Sequence, residues 1–229
     1  PAGAAQNIAL VHGAFADGSG WSDVAEILTK DGYAVTIVQE PETSLADDVK
    51  AVQRAVDMQS GPTVLVGHSY GGSVITEAGS DQKVAALVYV AAFQPDAGES
   101  TIGLIQKTPP ATKGLQPTKD GYFFLDPAVY ASDFAVGQSK AKASFMSRSQ
   151  VMPAGAAFGT PISTPAWKSK PSWAVVATDD RMINPELERF MTKRAGSSTI
   201  EIKAGHDVYM SHAKEVAKLI VDAASGTKK

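Results

Sequence analysis

No cysteine occurs in the 229 residues, which removes disulfides, thiolate zinc sites and a cysteine nucleophile together. That absence leaves the compartment open, because a cysteine-free chain suits reducing and oxidising surroundings alike. Long hydrophobic runs are also missing. The longest, Val84 to Phe93, has ten residues, about half of what a bilayer-spanning helix needs. There is no excess of positive charge: 21 Lys and Arg stand against 24 Asp and Glu, a net charge of −3. No basic face is implied, so nucleic acid is not an expected partner. Gly18-Ser19-Gly20 lacks the spacing and the lysine of a phosphate-binding loop. No histidine and carboxylate have metal-ligand spacing on one helix, so no metal or other cofactor is expected. No internal repeat, low-complexity tract or signal peptide is visible. The chain opens on small residues, Pro-Ala-Gly-Ala-Ala. Such a start favours an exported or periplasmic location over a cytoplasmic one.

What is present is the composition of a soluble globular protein, 44% hydrophobic and 20% charged. The length supports a large core without staples and suggests one domain carrying an insertion. The first ninety residues alternate between strand and helix patterns. Ile8 to Val11 is a short apolar run ending at His12-Gly13. Ser19 to Lys30 places Trp21, Val24, Ala25 and Leu28 on one helical face, with Gly32 just past its end as a left-handed cap. Tyr33 to Val38 is β-branched. A helix starts at Ser44, with Asp47 three residues on and a stripe of Leu45, Val49, Val52 and Val56. Thr63 to Val66 predicts a strand running into Gly67-His68-Ser69-Tyr70-Gly71-Gly72, with a helix over about 71–78. Val84 to Phe93 reads as a strand buried on both faces of a parallel sheet.

Alternation breaks over 94–170 and resumes afterwards. The broken stretch holds eight of the thirteen prolines, eight of the seventeen aromatics, and eight Lys and Arg against five Asp and Glu. Asp120-Gly121 predicts a hairpin turn before Tyr122-Phe123-Phe124. A loop this long without structure of its own would be unusual, so 94–170 is expected to be an inserted cap. Ser172 to Thr178 is the next strand, Asn184-Pro185 caps a helix, Thr199 to Lys203 is the last strand, and a final helix covers about 208–223. The expected fold is α/β: a mostly parallel central sheet of about six strands flanked by helices. Residues 1–93 and 171–229 form its core.

Gly67-His68-Ser69-Tyr70-Gly71 is G-x-S-x-G. Placed between a strand and a helix, it forces an abrupt turn that lifts the serine hydroxyl clear of the backbone. A serine hydroxyl needs a base to attack at neutral pH. His12 lies in the first loop, His68 beside Ser69 and His212 on the expected last helix, while His206 directly follows the last strand, at the edge where loops of such sheets collect their functional groups. The imidazole in turn needs a carboxylate. The strand ending at Thr178 delivers both Asp179 and Asp180, and periodicity does not choose between them. Asp207 adjoins His206, and sequence neighbours on a loop seldom aim at each other. The oxyanion formed on attack needs N–H donors. Tyr70, at a helix N-terminus, supplies one, and the first loop supplies the second from Ala14, with Phe15 in reserve.

With these residues the chain resembles the α/β-hydrolase superfamily, and within it the branch of small bacterial esterases, plant methyl-salicylate-type esterases and plant hydroxynitrile lyases. The resemblance rests on Val11-His12-Gly13-Ala14 with Trp21 following, Gly67 to Gly72, Thr178-Asp179-Asp180-Arg181 and Gly205-His206. It implies Asp180 as the acid, because in that branch the acid precedes Lys or Arg with a proline soon after, here Arg181 and Pro185. It also implies Ala14 and Tyr70 as the oxyanion donors. The lyases carry a hydroxyl residue after the first-loop histidine and a lysine after the catalytic histidine. Gly13 and Asp207 stand there instead, which argues against cyanohydrin cleavage.

The expected function is a cofactor-free serine hydrolase cleaving a carboxylic ester or related acyl compound through Ser69, His206 and Asp180 and an acyl-enzyme. Phe15, Phe93 and Trp167 are expected to line an apolar pocket. The expected partner is a small-molecule substrate, and the protein is expected to be a monomer or homodimer. The same fold also serves C–C bond or lactone hydrolysis, perhydrolysis, cofactor-free dioxygenation, and ligand reception with little turnover.

Overall fold

The computed structural model describes residues 4–226; the opening Pro-Ala-Gly, on which the location reading partly rests, lies outside them. Strand β1 (Asn7–Val11) leads through a 3-10 turn (Gly18–Trp21) into α1 (Ser22–Lys30). Then come β2 (Ala34–Val38), α2 (Leu45–Asp57), β3 (Thr63–Ser69), α3 (Tyr70–Ala78) and β4 (Val84–Ala92). The stretch between β4 and the next sheet strand holds α4 (Thr101–Lys107), β5 (Leu115–Pro117), β6 (Phe123–Leu125), α5 (Pro127–Asp133), α6 (Lys140–Arg148) and α7 (Gly155–Gly159). The chain closes with β7 (Ser172–Ala177), α8 (Pro185–Arg194), β8 (Ser198–Ile202), α9 (Val208–Ser211) and α10 (Ala213–Ser225).

Six strands form one sheet in the order β2-β1-β3-β4-β7-β8, and every neighbouring pair is parallel. Side chains alternate across it with the strand period. On one face Ile8, Leu10, Val64, Val66, Val88 and Val90 pack with Val24, Leu28, Val216 and Ile220 of α1 and α10. On the other, Ala9, Val11, Leu65, Leu87 and Tyr89 meet Val52, Val56, Val74 and Ile75 of α2 and α3. Leu125, Tyr130, Phe134 and Phe158, from the stretch between β4 and β7, join that second face.

The helix ends follow local chemistry. Ser44 accepts the Asp47 N–H at 3.0 Å, and Asn184 accepts the Glu186 N–H at 3.0 Å just before Pro185. Asp120-Gly121 does turn a hairpin: β5 and β6 are antiparallel, Leu115 opposite Leu125. Two expected helices differ. The one expected from Ser19 is a 3-10 turn before the α-helix begins at Ser22. The last one is broken at His212, whose φ of −128° and ψ of 46° leave the helical region. That break lets a short helix carry the segment after His206 while α10 turns onto the sheet.

The chain runs from β1 outward to β2, then returns to β3 on the other side of β1. The strand order therefore reverses between β1 and β3, and the carboxyl ends of those two strands frame the crevice where open α/β sheets bind ligands. His12-Gly13-Ala14 leaves one end and Ser69 the other.

Candidate active site

Ser69 ends β3 and has φ 54° and ψ −123°, a left-handed backbone that L-residues rarely adopt. The turn closes because its neighbours lack side chains. A Cβ on Gly13 would come within 2.7 Å of Ser69 Cβ, and one on Gly71 within 2.7 Å of the His12 carbonyl oxygen. The first loop and the serine turn are thereby in direct backbone contact. Phe15 (φ 64°), Glu42 (φ 56°) and Ala91 (φ 43°) share the left-handed conformation, on the first loop, the segment after β2 and the end of β4. Such strain gathers at functional sites, at roughly 1–3 kcal/mol each.

The structure separates the two candidate acids. Asp179 is exposed. Asp180 is buried, and its Oδ2 accepts from Nδ1 of buried His206 at 2.9 Å. Its Oδ1 accepts the N–H groups of Met182 (2.8 Å) and Ile183 (3.1 Å), which fixes the orientation of the carboxylate toward the ring. Asp207 points away: its Oδ2 takes the Gly137 N–H and Gln138 Nε2, both at 2.9 Å. His206 lies against the serine turn. His68 Nε2 donates to the His206 carbonyl oxygen at 2.8 Å, and the two rings are 4.5 Å apart. Burial, and then the neighbouring His206, hold His68 well below the usual histidine range, so it is neutral there.

The two oxyanion alternatives are also separated. The Phe15 N–H is spent on the Val151 carbonyl oxygen at 2.9 Å, which corrects Phe15 as the reserve donor. No acceptor takes the Ala14 N–H among the described residues. Tyr70 is the first residue of α3, where opening N–H groups have no intrahelical acceptor.

Of the expected lining residues, Phe15 is buried, with its ring edge-on to Phe158 at 6.3 Å. Phe93 donates its N–H to the Ser69 carbonyl oxygen at 3.1 Å, while its side chain packs with Leu104, Ile183, Leu187 and Met191. Trp167 is tied elsewhere. Its Nε1 donates to the Pro95 carbonyl oxygen at 2.8 Å, and its ring lies 5.8 Å from the Arg194 guanidinium, on the α8 side. The aromatic residues that do meet the site were not singled out from the sequence. Phe134 sets its ring edge-on to His206 at 4.9 Å, and Phe158 stacks on Tyr70 at 5.3 Å. The crowding of aromatics in 94–170 was the only signal for them.

That stretch is tethered to all three loops of the site. Tyr130 Oη donates to the Phe15 carbonyl oxygen at 2.6 Å. Arg181 Nε donates to Asp133 Oδ1 at 2.8 Å, and Gly137 and Gln138 hold Asp207. A cavity of about 310 Å³ lies beside these tethers, lined by Ala16, Asp17, Tyr130, Met146, Tyr209 and Met210 among others.

Although the sequence offers no metal spacing, the fold brings His12, Glu40 and Glu42 together, all buried. Their hydrogen bonding opposes a metal. His12 Nε2 accepts the Glu40 N–H at 3.0 Å, so the ring proton sits on Nδ1, facing the Gly13 carbonyl oxygen at 3.0 Å and Glu42 Oε1 at 3.6 Å. An Nδ1 that carries a proton is a donor and not a ligand. No donor reaches the Glu40 or Glu42 carboxyl oxygens among the described residues. Asp48 is better served, by the Tyr70 hydroxyl (2.6 Å) and the Glu42 N–H (2.7 Å). Burial, reinforced by neighbouring carboxyls, raises Glu40 and Glu42 well above the ordinary range, and burial pushes Asp48 up to about 6.

This cluster has a consequence for stability. A carboxyl raised on folding stabilises below its unfolded value and loses that contribution as pH rises through the folded one. Each pH unit between the two withdraws about 1.4 kcal/mol. The double variant Glu40→Gln/Glu42→Gln stays neutral at every pH. Its Tm relative to wild type is therefore expected to rise between pH 5 and pH 8, by about 3–6 °C per pH unit for each carboxyl that stays protonated in the folded protein. Calorimetry at the two pH values checks it, and a pH-independent difference would contradict raised carboxyls.

The alpha/beta hydrolase family matches residues 8–219, and the chain belongs to it. It is thus an enzyme of hydrolase type, in keeping with the all-parallel sheet and the serine turn. A "Carbendazim hydrolyzing esterase" of Nocardioides sp. (strain SG-4G) is 32% identical over 124 residues, 48% of this chain and 51% of that protein. The chain thus matches about half the length of that relative. An alpha/beta hydrolase of Aspergillus novofumigatus (strain IBT 16806) is 27% identical over 206 residues, 80% of each chain. The crystal structure of a pyrethroid hydrolase superposes with a TM-score of 0.85 at 21% identity, covering 98% of this chain and 100% of that one, a likeness of fold.

Proposed function

We propose that the protein is a carboxylic ester hydrolase working through Ser69, His206 and Asp180. The observation that carries this reading is the buried Asp180–His206 pair, 2.9 Å across, set against a strained serine turn. Ser69 Oγ attacks the ester carbonyl carbon and its proton passes to Nε2 of His206. The negative oxygen that results is met by the N–H groups of Ala14 and Tyr70. His206 then gives the proton to the leaving alkoxide, which departs as the alcohol. Water, deprotonated by the same ring, releases the acid from the acyl-enzyme. Asp180 holds the ring's tautomer and stabilises its cation.

The stretch 94–170 serves as a cap in this reading, since it is pinned to each of the three loops. Phe15, Phe134 and Phe158 give the acyl site apolar walls. These walls favour an apolar acyl or aromatic group. The esterase named among the relatives supports the same bond class. Turnover of a short-chain nitrophenyl ester tests the reading. Steady hydrolysis with a burst of nitrophenol is expected. Ligand binding without turnover, equal in wild type and Ser69→Ala, would instead make the protein a receptor.

A further inference from the structure

One buried carboxyl sits directly behind the Asp180–His206 pair and has no part in the mechanism above. Glu188, on α8, is 1% exposed. Its Oε1 accepts the Ala177 N–H at 3.2 Å, and its Oε2 meets no N–H or O–H donor among the described residues. Both carboxyls sit on the turn that ends β7: Glu188 accepts the Ala177 N–H, the Asp180 N–H donates to the Ala177 carbonyl oxygen at 3.2 Å, and the two carboxyls adjoin. Two ionised carboxylates are acceptors only, so they make such a contact only if one of them keeps its proton. Asp180 is the better anion, because it already accepts from Met182, Ile183 and His206. Glu188 has a single backbone donor. The other charged group bearing on it is Arg189, on its own helix, and that guanidinium is taken up at the surface by Glu186 and Glu201. Burial and the Asp180 charge raise the Glu188 carboxyl well above the ordinary range.

We propose that Glu188 is a positioning residue: as a neutral acid it donates a hydrogen bond to Asp180, fixing that carboxylate toward His206 and drawing off part of its charge. The proposal rests on the triad reading. No proton is transferred; the one on Glu188 stays there through the cycle. Without this donor the Asp180 charge concentrates on the face toward His206. The imidazolium is then held more strongly, and the base is freed only at higher pH.

The test compares Glu188→Gln, which is neutral and still donates through its amide, with Glu188→Leu, which does not donate. In Glu188→Leu the acid limb of the kcat/KM profile is expected to move up by about one pH unit, with kcat lower by about tenfold. Glu188→Gln is expected to leave the limb in place and keep most of the activity. Equal limbs in the two variants would overturn the proposal, since a packing role does not distinguish them. An infrared difference spectrum of wild type against Glu188→Gln at neutral pH reads the proton directly, even if Glu188→Leu does not fold. Loss of a protonated-carboxyl band supports the proposal, and loss of carboxylate bands overturns it. Organophosphonate labelling of the same preparations separates the two claims. A wild type that labels at Ser69 with unshifted limbs overturns Glu188 alone. A wild type that does not label at Ser69 overturns the triad and with it the positioning role, while the infrared result still stands.

Discussion

Replacing Ser69 by Ala is expected to lower kcat for a short-chain ester by about 10⁶, the cost of losing the nucleophile from a triad. The remaining rate over water is expected to be about 10³–10⁴-fold, from the oxyanion donors and binding alone. The fold should survive. Among the described residues nothing hydrogen-bonds the Ser69 hydroxyl, and the strained backbone is held by the close approach of Gly13 and Gly71. Steady-state kinetics with a Tm measurement checks both halves. Wild-type turnover in a folded Ser69→Ala protein would mean that another group attacks.

Asp180→Asn is expected to lower kcat by about 10⁴, because an amide at that position favours the wrong imidazole tautomer. In the present structure Oδ2 faces His206 Nδ1 while Oδ1 is held by two backbone N–H groups. An Asn amide placed at the Oδ2 position would donate toward Nδ1 and drive the ring proton to Nε2, where the serine proton must go. Asp179→Asn, one residue earlier and exposed, is expected to change kcat by less than about threefold, as surface substitutions usually do. A reversed ranking would move the acid by one residue.

Much of this arrangement was legible in the chain. The strands are short apolar runs, and the serine turn carries its own steric signature in Gly67, Gly71 and Gly72. His206 was found because it follows the last strand. Asp180 was not separable from Asp179 by periodicity, because the choice is made by a turn in which Met182 and Ile183 bend back onto one carboxylate. The resemblance supplied that residue, and the geometry places it against His206. Other features depend on contacts that a local pattern does not carry. Phe134 and Phe158 reach the site only through the path of the 94–170 stretch. No local pattern in Gln39-Glu40-Pro41-Glu42 marks either glutamate for burial, yet both are buried. Glu188 stands among Glu186 and Arg189 on a charged helix with no local mark that separates it from them, yet it is the one that turns inward. Trp167 has the aromatic bulk of a pocket wall, and its indole is instead held by Pro95 and Arg194.

The central claim is that one serine of this chain is activated by the Asp180–His206 pair. The measurement that meets it most directly is peptide mapping after reaction with an organophosphonate. The account predicts a single fast adduct on Ser69, strongly slowed in His206→Ala. An adduct on another serine with Ser69 unmodified, or labelling of Ser69 at the same rate without His206, would contradict it.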